Sequence, residues 1–281
     1  MIMLASDLDR TLIYSRRMLD ESGENPGDIR VAETKNGEVI TYVTERTLRL
    51  LGELSRRGLF VPVTTRTTEQ YFRISAIADD IRPRYAITSN GGNIFKNGDP
   101  DREWHEQVKS RIADECLPLE DAFRKFESIR SDKWVKFSRI ADELFFYCVL
   151  RMEHAPFEEI DRYAEFLERN NWHTTLHGRK LYFIPNSLSK AGAVAHVAEQ
   201  EEVSQIITAG DSLLDLDMAE VSDSFISPRH GEVYQLHRDG VADQDMQYTD
   251  NYGITASDEI LENAIRILDQ AESRSANSSE L

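Results

Sequence analysis

Cys116 and Cys148 are the chain's only two cysteines. They lie far apart with no metal-like spacing, which excludes a disulfide framework or a cysteine-ligated zinc site as the organising device. Both thiols are expected to be reduced and buried. No apolar run approaches the length needed to cross a bilayer, and no basic stretch leads into an apolar segment with a cleavage site. A soluble, cytoplasmic protein with no membrane partner is therefore expected. Basic residues are scarce too: 33 Lys and Arg stand against 50 Asp and Glu, for a formal charge of -17. A polyanion needs a basic footprint, so nucleic acid is not expected as a partner. The same field repels a small phosphorylated substrate. Any anion site must be built locally, from a divalent cation, a few Lys or Arg, and backbone N–H groups.

What is present points to an α/β arrangement in a chain long enough for one large domain or two small ones. A short apolar N-terminal run ends in Asp7-Leu8-Asp9-Arg10-Thr11. In an extended segment residues i and i+2 project to one side. Asp7 and Asp9 would then face one point beyond the strand's carboxyl end, where ligands bind in open α/β sheets. Two like charges so close require a cation between them or a proton on one of them.

Residues 15–45 are polar, with 38–44 alternating like a strand, and read as an inserted hairpin beside the first loop. Leu48, Leu51 and Leu54 recur at helical spacing ahead of Gly58, which predicts a helix over 45–57. A buried strand at 59–64, a helix at 67–79 and a strand at 85–89 follow. This alternation predicts a doubly wound parallel sheet. After Asn90 the pattern changes to a turn at 90–93, a helix over 106–126, strands at 133–138 and 143–152, a helix at 156–169, and strands at 172–177 and 180–184. Residues 91–185 are assigned to an inserted α+β domain, and 1–90 with 186–271 to the core. The first pattern resumes with a helix at 190–201, a strand at 205–209, a helical stretch at 211–221, a strand at 225–228 and a helix at 258–271. The polar, Ser-rich residues 272–281 are expected to be a disordered tail.

Four polar stations occur in this frame, each after a strand or opening a helix. They are Asp7, Asp9 and Thr11; Thr64-Thr65-Arg66-Thr67; Lys190; and Gly210-Asp211-Ser212-Leu213-Leu214-Asp215. Singly, each has an ordinary explanation: Asp211 as a helix cap, Lys190 as a solvated helix residue, Thr64 as a turn former. Recurring in order at successive strand ends, they are better explained together.

The ordered set resembles the haloacid dehalogenase (HAD) superfamily of phosphatases, whose motifs are Asp-x-Asp-x-Thr, a Ser or Thr, a Lys, and Gly-Asp-x-x-x-Asp. The resemblance spans nearly all of residues 1–271. It implies a Rossmannoid HAD-like core with an inserted C2B cap, as in sucrose-phosphate, mannosyl-phosphoglycerate and Cof-like phosphatases. It implies a Mg²⁺-dependent phosphohydrolase acting on a small phosphorylated metabolite, expected to be a sugar phosphate, with Asp7 as nucleophile. Such a nucleophile divides one hard displacement into two easier ones. Asp9 would protonate the leaving alkoxide and then activate water. Mg²⁺ would sit on Asp7, Asp9 (through its carbonyl), Asp211 and Asp215. Thr64 would donate to the phosphoryl group, and Lys190 would pair with Asp7. A phosphomutase, or a non-catalytic protein keeping the fold, stays open.

Substrate contacts are expected from Thr11, Thr65 and Arg66 in the core and from Asn90 and Gly91, which match the Asn-Gly-Gly turn of capped members. His177 and Arg179 are the foremost cap candidates, with Lys133, Lys136 and Lys180 beside them. Trp134 and Trp172 are weighed between sugar stacking and core packing. His173 and His177 share a strand face but lack a third ligand for a metal. Three departures stand out: Arg10 where many relatives have Gly, Thr65 in place of Gly, and Leu214 ahead of Asp215. Arg10 either touches substrate or pairs with a surface carboxylate, the second being the default expectation. Monomer and homodimer are equally open.

Overall fold

The computed structural model describes residues 1–22, 27–241 and 246–278. Strand β1 (Ile2–Ser6) leads into a loop that carries Asp7 and Asp9. Then come β2 (Tyr14–Ser15), α1 (Arg16–Ser22), β3 (Ile29–Lys35) and β4 (Glu38–Thr44), the last two forming the expected hairpin. Residues 23–26 of that insertion lie outside the described residues. Thr44 caps α2 (Glu45–Arg57), whose Leu48, Leu51 and Leu54 are buried, and Gly58 closes it with its N–H on the Leu54 carbonyl.

After β5 (Leu59–Pro62), the helix expected at 67–79 is split in two. A capped α3 (Thr68–Phe72) is followed by a π-helical turn, Ala76–Ile81, that ends at Arg82 with φ 52°. Strand β6 (Tyr85–Thr88) lies beside β5 through a parallel bridge between Val63 and Ile87. Strand β7 (Asn93–Lys96) pairs antiparallel with β6, and β8 (Asp99–Pro100) antiparallel with β7. Residues 93–100 thus belong to a separate three-stranded sheet of order β6-β7-β8.

The helix expected over 106–126 is also two helices, α4 (Arg102–Glu115) and α5 (Leu119–Ile129). Pro118 explains the break, because proline drives the residue before it out of the helical region. Strands β9 (Val135–Ala141) and β10 (Phe145–Leu150), α6 (Phe157–Glu168), and β11 (Trp172–His177) with β12 (Lys180–Pro185) form an antiparallel sheet of order β11-β12-β10-β9 with α5 and α6 on one face. Phe146 and Phe183 pack there on Phe126, and Trp172 packs on Phe146. Trp134 and Trp172 are both buried, and the Trp172 indole donates to the Leu117 carbonyl, so both serve core packing.

The core resumes with α7 (Lys190–Gln200), β13 (Gln205–Ala209), a 3-10 stretch at Leu213–Val221, β14 (Ser224–Ser227), α8 (Glu232–Arg238), β15 (Gln247–Tyr248) and α9 (Thr255–Ser278). The expected disordered tail is corrected for residues 272–278, which continue α9, while 279–281 lie outside the described residues. The parallel sheet runs β15-β14-β13-β1-β5, so the chain winds outward from β1 in both directions. The winding reverses between β1 and β13, and the strand ends at such a crevice are where ligands bind in these sheets. No helix among the described residues is long and apolar enough to cross a membrane.

Candidate active site

Parallel pairing of Ser6 with Ala209 brings the loops after β1 and β13 side by side, and Asp7 N–H donates to the Ala209 carbonyl at 2.8 Å. Asp7 is buried here, and so are Asp211 and Asp215. One carboxylate oxygen from each of the three lies within 4.8 Å of the others. Asp215 reaches this point because Ser212 donates to it from both backbone and hydroxyl, at 2.9 and 2.8 Å. Its carboxyl group is pressed against Gly210, where a Cβ would stand 2.2 Å from the Asp215 Cβ. Asp215 thus joins the cluster despite Leu214.

Lys190 opens α7 and is buried, with Nζ donating to Asp7 Oδ1 at 2.8 Å, Asp215 Oδ1 at 2.5 Å and the Val63 carbonyl at 3.2 Å. The turn before it is shaped by Asn90 and Gly91. Asn90 Nδ2 donates to the Leu188 carbonyl at 3.4 Å, and Gly91, at φ 95°, leaves room for the Ser189 carbonyl, which a Cβ would meet at 2.0 Å. Both residues position the lysine loop and neither lines the cleft.

Arg10 corrects its expectation. At φ 64° its side chain turns inward, and Nε donates to Asp211 Oδ2 at 2.8 Å, a buried member of the cluster and not a surface carboxylate. His230 accompanies it: Arg10 Nη2 donates to the His230 carbonyl and His230 Nε2 sits 2.8 Å from the Arg10 carbonyl. Contrary to expectation, Asp9 does not share one point with Asp7: it lines the same cleft but lies outside the cluster. Arg66 grips it with two hydrogen bonds, at 2.6 and 2.7 Å, and also holds buried Glu33 at 2.6 Å. Thr11 donates to Asp7 Oδ2 at 3.3 Å, and the Thr64 hydroxyl accepts from Arg66 N–H at 3.1 Å. Thr65 lines the cleft together with Tyr182 of β12.

The titration behaviour follows from this packing. Burial, partly offset by Lys190 and reinforced by Asp215 and Asp211, pushes the Asp7 carboxyl up to about 8. Burial and Asp215 push Asp211 up to about 7 against His177 and Arg10. Partial burial also acts on Asp9, but Arg66 outweighs it and holds that carboxyl down at about 2. With all three ionised, the cluster's carboxylates outnumber the two cations, Lys190 and Arg10, by one. A hard divalent cation answers that surplus, and an all-oxygen donor set suits Mg²⁺.

The cluster opens into a cleft of about 620 Å³ between the two sheets, lined by Asp7, Asp9, Lys190 and Asp211 below and by Lys136, His177, Arg179 and Lys180 above. Ser15 and Ile40 of the first insertion complete its rim. Of the other cap candidates, Lys133 lies outside the cleft, His173 pairs with Asn186, and His177 Nδ1 sits 2.9 Å from Glu232 Oε1. Glu33, Glu232, Tyr182 and His230 escaped the sequence reading because their partners are remote in the chain and no motif marks them.

A family model described as sucrose-6F-phosphate phosphohydrolase matches residues 1–227. The chain belongs to that family. It is a HAD-superfamily phosphatase with a C2B-type cap. No curated protein matches its sequence. Among solved structures, this phosphatase is similar to the sucrose-phosphatase of Synechocystis sp. PCC6803 in complex with sucrose and phosphate, with TM-score 0.66, 16% identity, and 95% of this chain and 98% of that one covered. It is similar to the HAD subclass IIB sugar phosphatase BT4131, at TM-score 0.63 and 10% identity over 96% of this chain and 99% of the other. BT1666 from Bacteroides thetaiotaomicron, described as a phosphatase of the superfamily, matches at TM-score 0.58 and 14% identity over 96% and 95% of the two chains. These similarities establish the fold, an α/β core carrying an inserted cap.

Proposed function

We propose that the phosphatase hydrolyses a small sugar phosphate with Mg²⁺, through an aspartyl-phosphate on Asp7, beneath a cap spanning roughly residues 102–185. The observation that carries this reading is the placement of Asp7, with one oxygen on Lys190 and its carboxylate in the cluster with Asp211 and Asp215. Asp7 attacks phosphorus, and the bond from phosphorus to the alkoxide oxygen breaks. Asp9 gives that oxygen a proton, then takes one from the water that cleaves the aspartyl-phosphate. Inorganic phosphate leaves and Asp7 is restored. Lys190 keeps the Asp7 oxygen oriented and offsets the repulsion between carboxylate and phosphate. Asp7, Asp211 and Asp215 would hold Mg²⁺, which supplies charge neutralisation at the phosphoryl oxygens.

The direct test is hydrolysis of para-nitrophenyl phosphate, expected with Mg²⁺ and lost with a chelator. Turnover that survives chelation refutes the metal role. A second readout does not depend on activity. Protons and Mg²⁺ compete for carboxylates whose pKa values lie at about 7 and about 8, and a raised pKa means the folded protein holds protons that metal must displace. Mg²⁺ should therefore raise the melting temperature more above pH 8 than at pH 6. An increment that shrinks with pH contradicts this cluster as the site.

The Arg66 grip on Asp9 favours its ionised form, which suits the water-activating half-reaction, whereas the protonating half-reaction requires Asp9 to leave Arg66. Arg66→Ala leaves Asp9 unoriented. The expected loss in kcat is about tenfold or more for an alkyl phosphate, whose leaving group needs the proton, and clearly less for an aryl phosphate. Equal losses on both substrates would show that Arg66 acts on the fold and not through Asp9.

A further inference from the structure

We infer that the substrate carries a second anionic group, remote from the scissile phosphate, which Lys136, Arg179 and Lys180 bind on the cap side of the cleft. The inference rests on the phosphohydrolase reading and narrows the substrate class to phosphorylated sugars or acids with a further carboxylate or phosphate.

The register of the cap sheet builds this wall. Val149 pairs with Phe137 on one side and with Lys180 on the other, and Lys180 pairs in turn with His177. Directly paired residues project to the same face. Phe137, Val149, Lys180 and His177 therefore form one row across the sheet, and all four line the cleft. The opposite face carries Phe146 and Phe183 and is closed by α5 and α6, so this row is the surface the cap presents to the core. Between His177 and Lys180, Gly178 at φ 58° turns the chain tightly and sets Arg179 at the tip of the hairpin, where it also lines the cleft.

Charge makes the row informative. Exposed cations without a carboxylate partner occur elsewhere on this surface, as at Arg49 and Lys133, but scattered singly. What sets Lys136, Arg179 and Lys180 apart is that all three line one concavity. Among the described residues none of the three has a carboxylate partner, and all three are exposed to the cleft. Asp9, at the cleft floor, already has both oxygens on Arg66, and Glu232 is taken by His177. The scissile phosphate does not account for them either, since Lys190 and the metal cluster lie on the core side for that group. Three unpaired cations converging on one concavity, in a protein whose overall field repels anions, form a local anion site. The cleft of about 620 Å³ has room for both groups and a sugar between them.

Calorimetric titration of the Asp7→Asn protein with Mg²⁺ present tests this without interference from turnover. The probes are matched pairs differing by one anion: 3-phosphoglycerate against glycerol 3-phosphate, and fructose 1,6-bisphosphate against fructose 6-phosphate. At least one doubly anionic member should bind about tenfold or more tighter than its partner. That ratio should collapse in Lys180→Ala and Arg179→Ala, persist in Lys180→Arg, and invert in Lys136→Glu. Ratios near one in both pairs overturn the inference, and so does a ratio that survives all three charge removals. Hydrolysis of para-nitrophenyl phosphate by the unsubstituted protein, run in parallel, separates the two readings. Turnover without a binding preference sinks only the second-anion site, whereas preference without turnover upholds that site and sinks the phosphohydrolase.

Discussion

Asp7→Asn lowers kcat on para-nitrophenyl phosphate by on the order of 10⁴-fold or more, the scale on which enzymes lose activity when a covalent nucleophile is removed. The amide keeps the shape of the side chain and one oxygen for Lys190, so binding geometry survives while nucleophilicity does not. The fold should tolerate the change. Asp7 is buried, and burial together with Asp215 and Asp211 already pushes its carboxyl up to about 8, so its ionised form costs free energy in the metal-free protein. The sign follows from linkage. A carboxyl whose folded pKa exceeds its unfolded value destabilises progressively as pH rises from about 4 through about 8. The amide removes that term, and the metal-free variant should melt no lower than the parent at pH 8. The assays are steady-state kinetics and thermal melting on the same preparation. Activity within about tenfold of the parent would exclude Asp7 as nucleophile. Loss of activity with a collapsed melting temperature would mean that Asp7 is structural.

What could be read from the sequence divides along one physical line. Local order was legible: apolar runs ending in Asp7, Thr64 and Gly210, and Lys190 at a helix start, are covalent facts, and parallel pairing of β1 with β13 and β5 carries them to one sheet edge. The cap sheet was legible for the same reason, as β10 and β12 are apolar runs and clear turns separate the strands. Pairings across the fold were not. Arg10 and Asp211 are 201 residues apart, and only the crevice between β1 and β13 brings them together. The inserted hairpin likewise gave no sign that buried Glu33 would hold both Arg66 and Arg73 beneath the site. Pro118, in contrast, was a readable signal that the helix expected over 106–126 must break. The tail was misjudged because polar composition measures the power to nucleate structure. Residues 272–278 instead extend a helix whose buried Ile260, Leu261 and Leu268 already anchor it, and adding turns to an anchored helix costs little.

Lys190→Met should destabilise the metal-free protein by roughly 3–5 kcal/mol and lower its melting temperature by roughly 10 °C, while abolishing hydrolysis. Methionine fills a similar volume, so the loss reports charge and hydrogen bonding more than packing. Lys190 is buried between Asp7 and Asp215, and its pKa is raised, because the two carboxylates outweigh the burial that opposes its charge. Removing it leaves two buried carboxylates with no cation between them. Protonation relieves that cost, so the deficit should be smallest near pH 5 and grow as pH rises past about 8. A double-mutant cycle isolates the pair. If the ion pair with Asp7 is what Lys190 supplies, Lys190→Met costs clearly less in the Asp7→Asn background than in the parent. Equal costs in both backgrounds would locate its contribution at Asp215 and the Val63 carbonyl. The lysine would then anchor the loop after β13, and its contact with Asp7 would be incidental to stability.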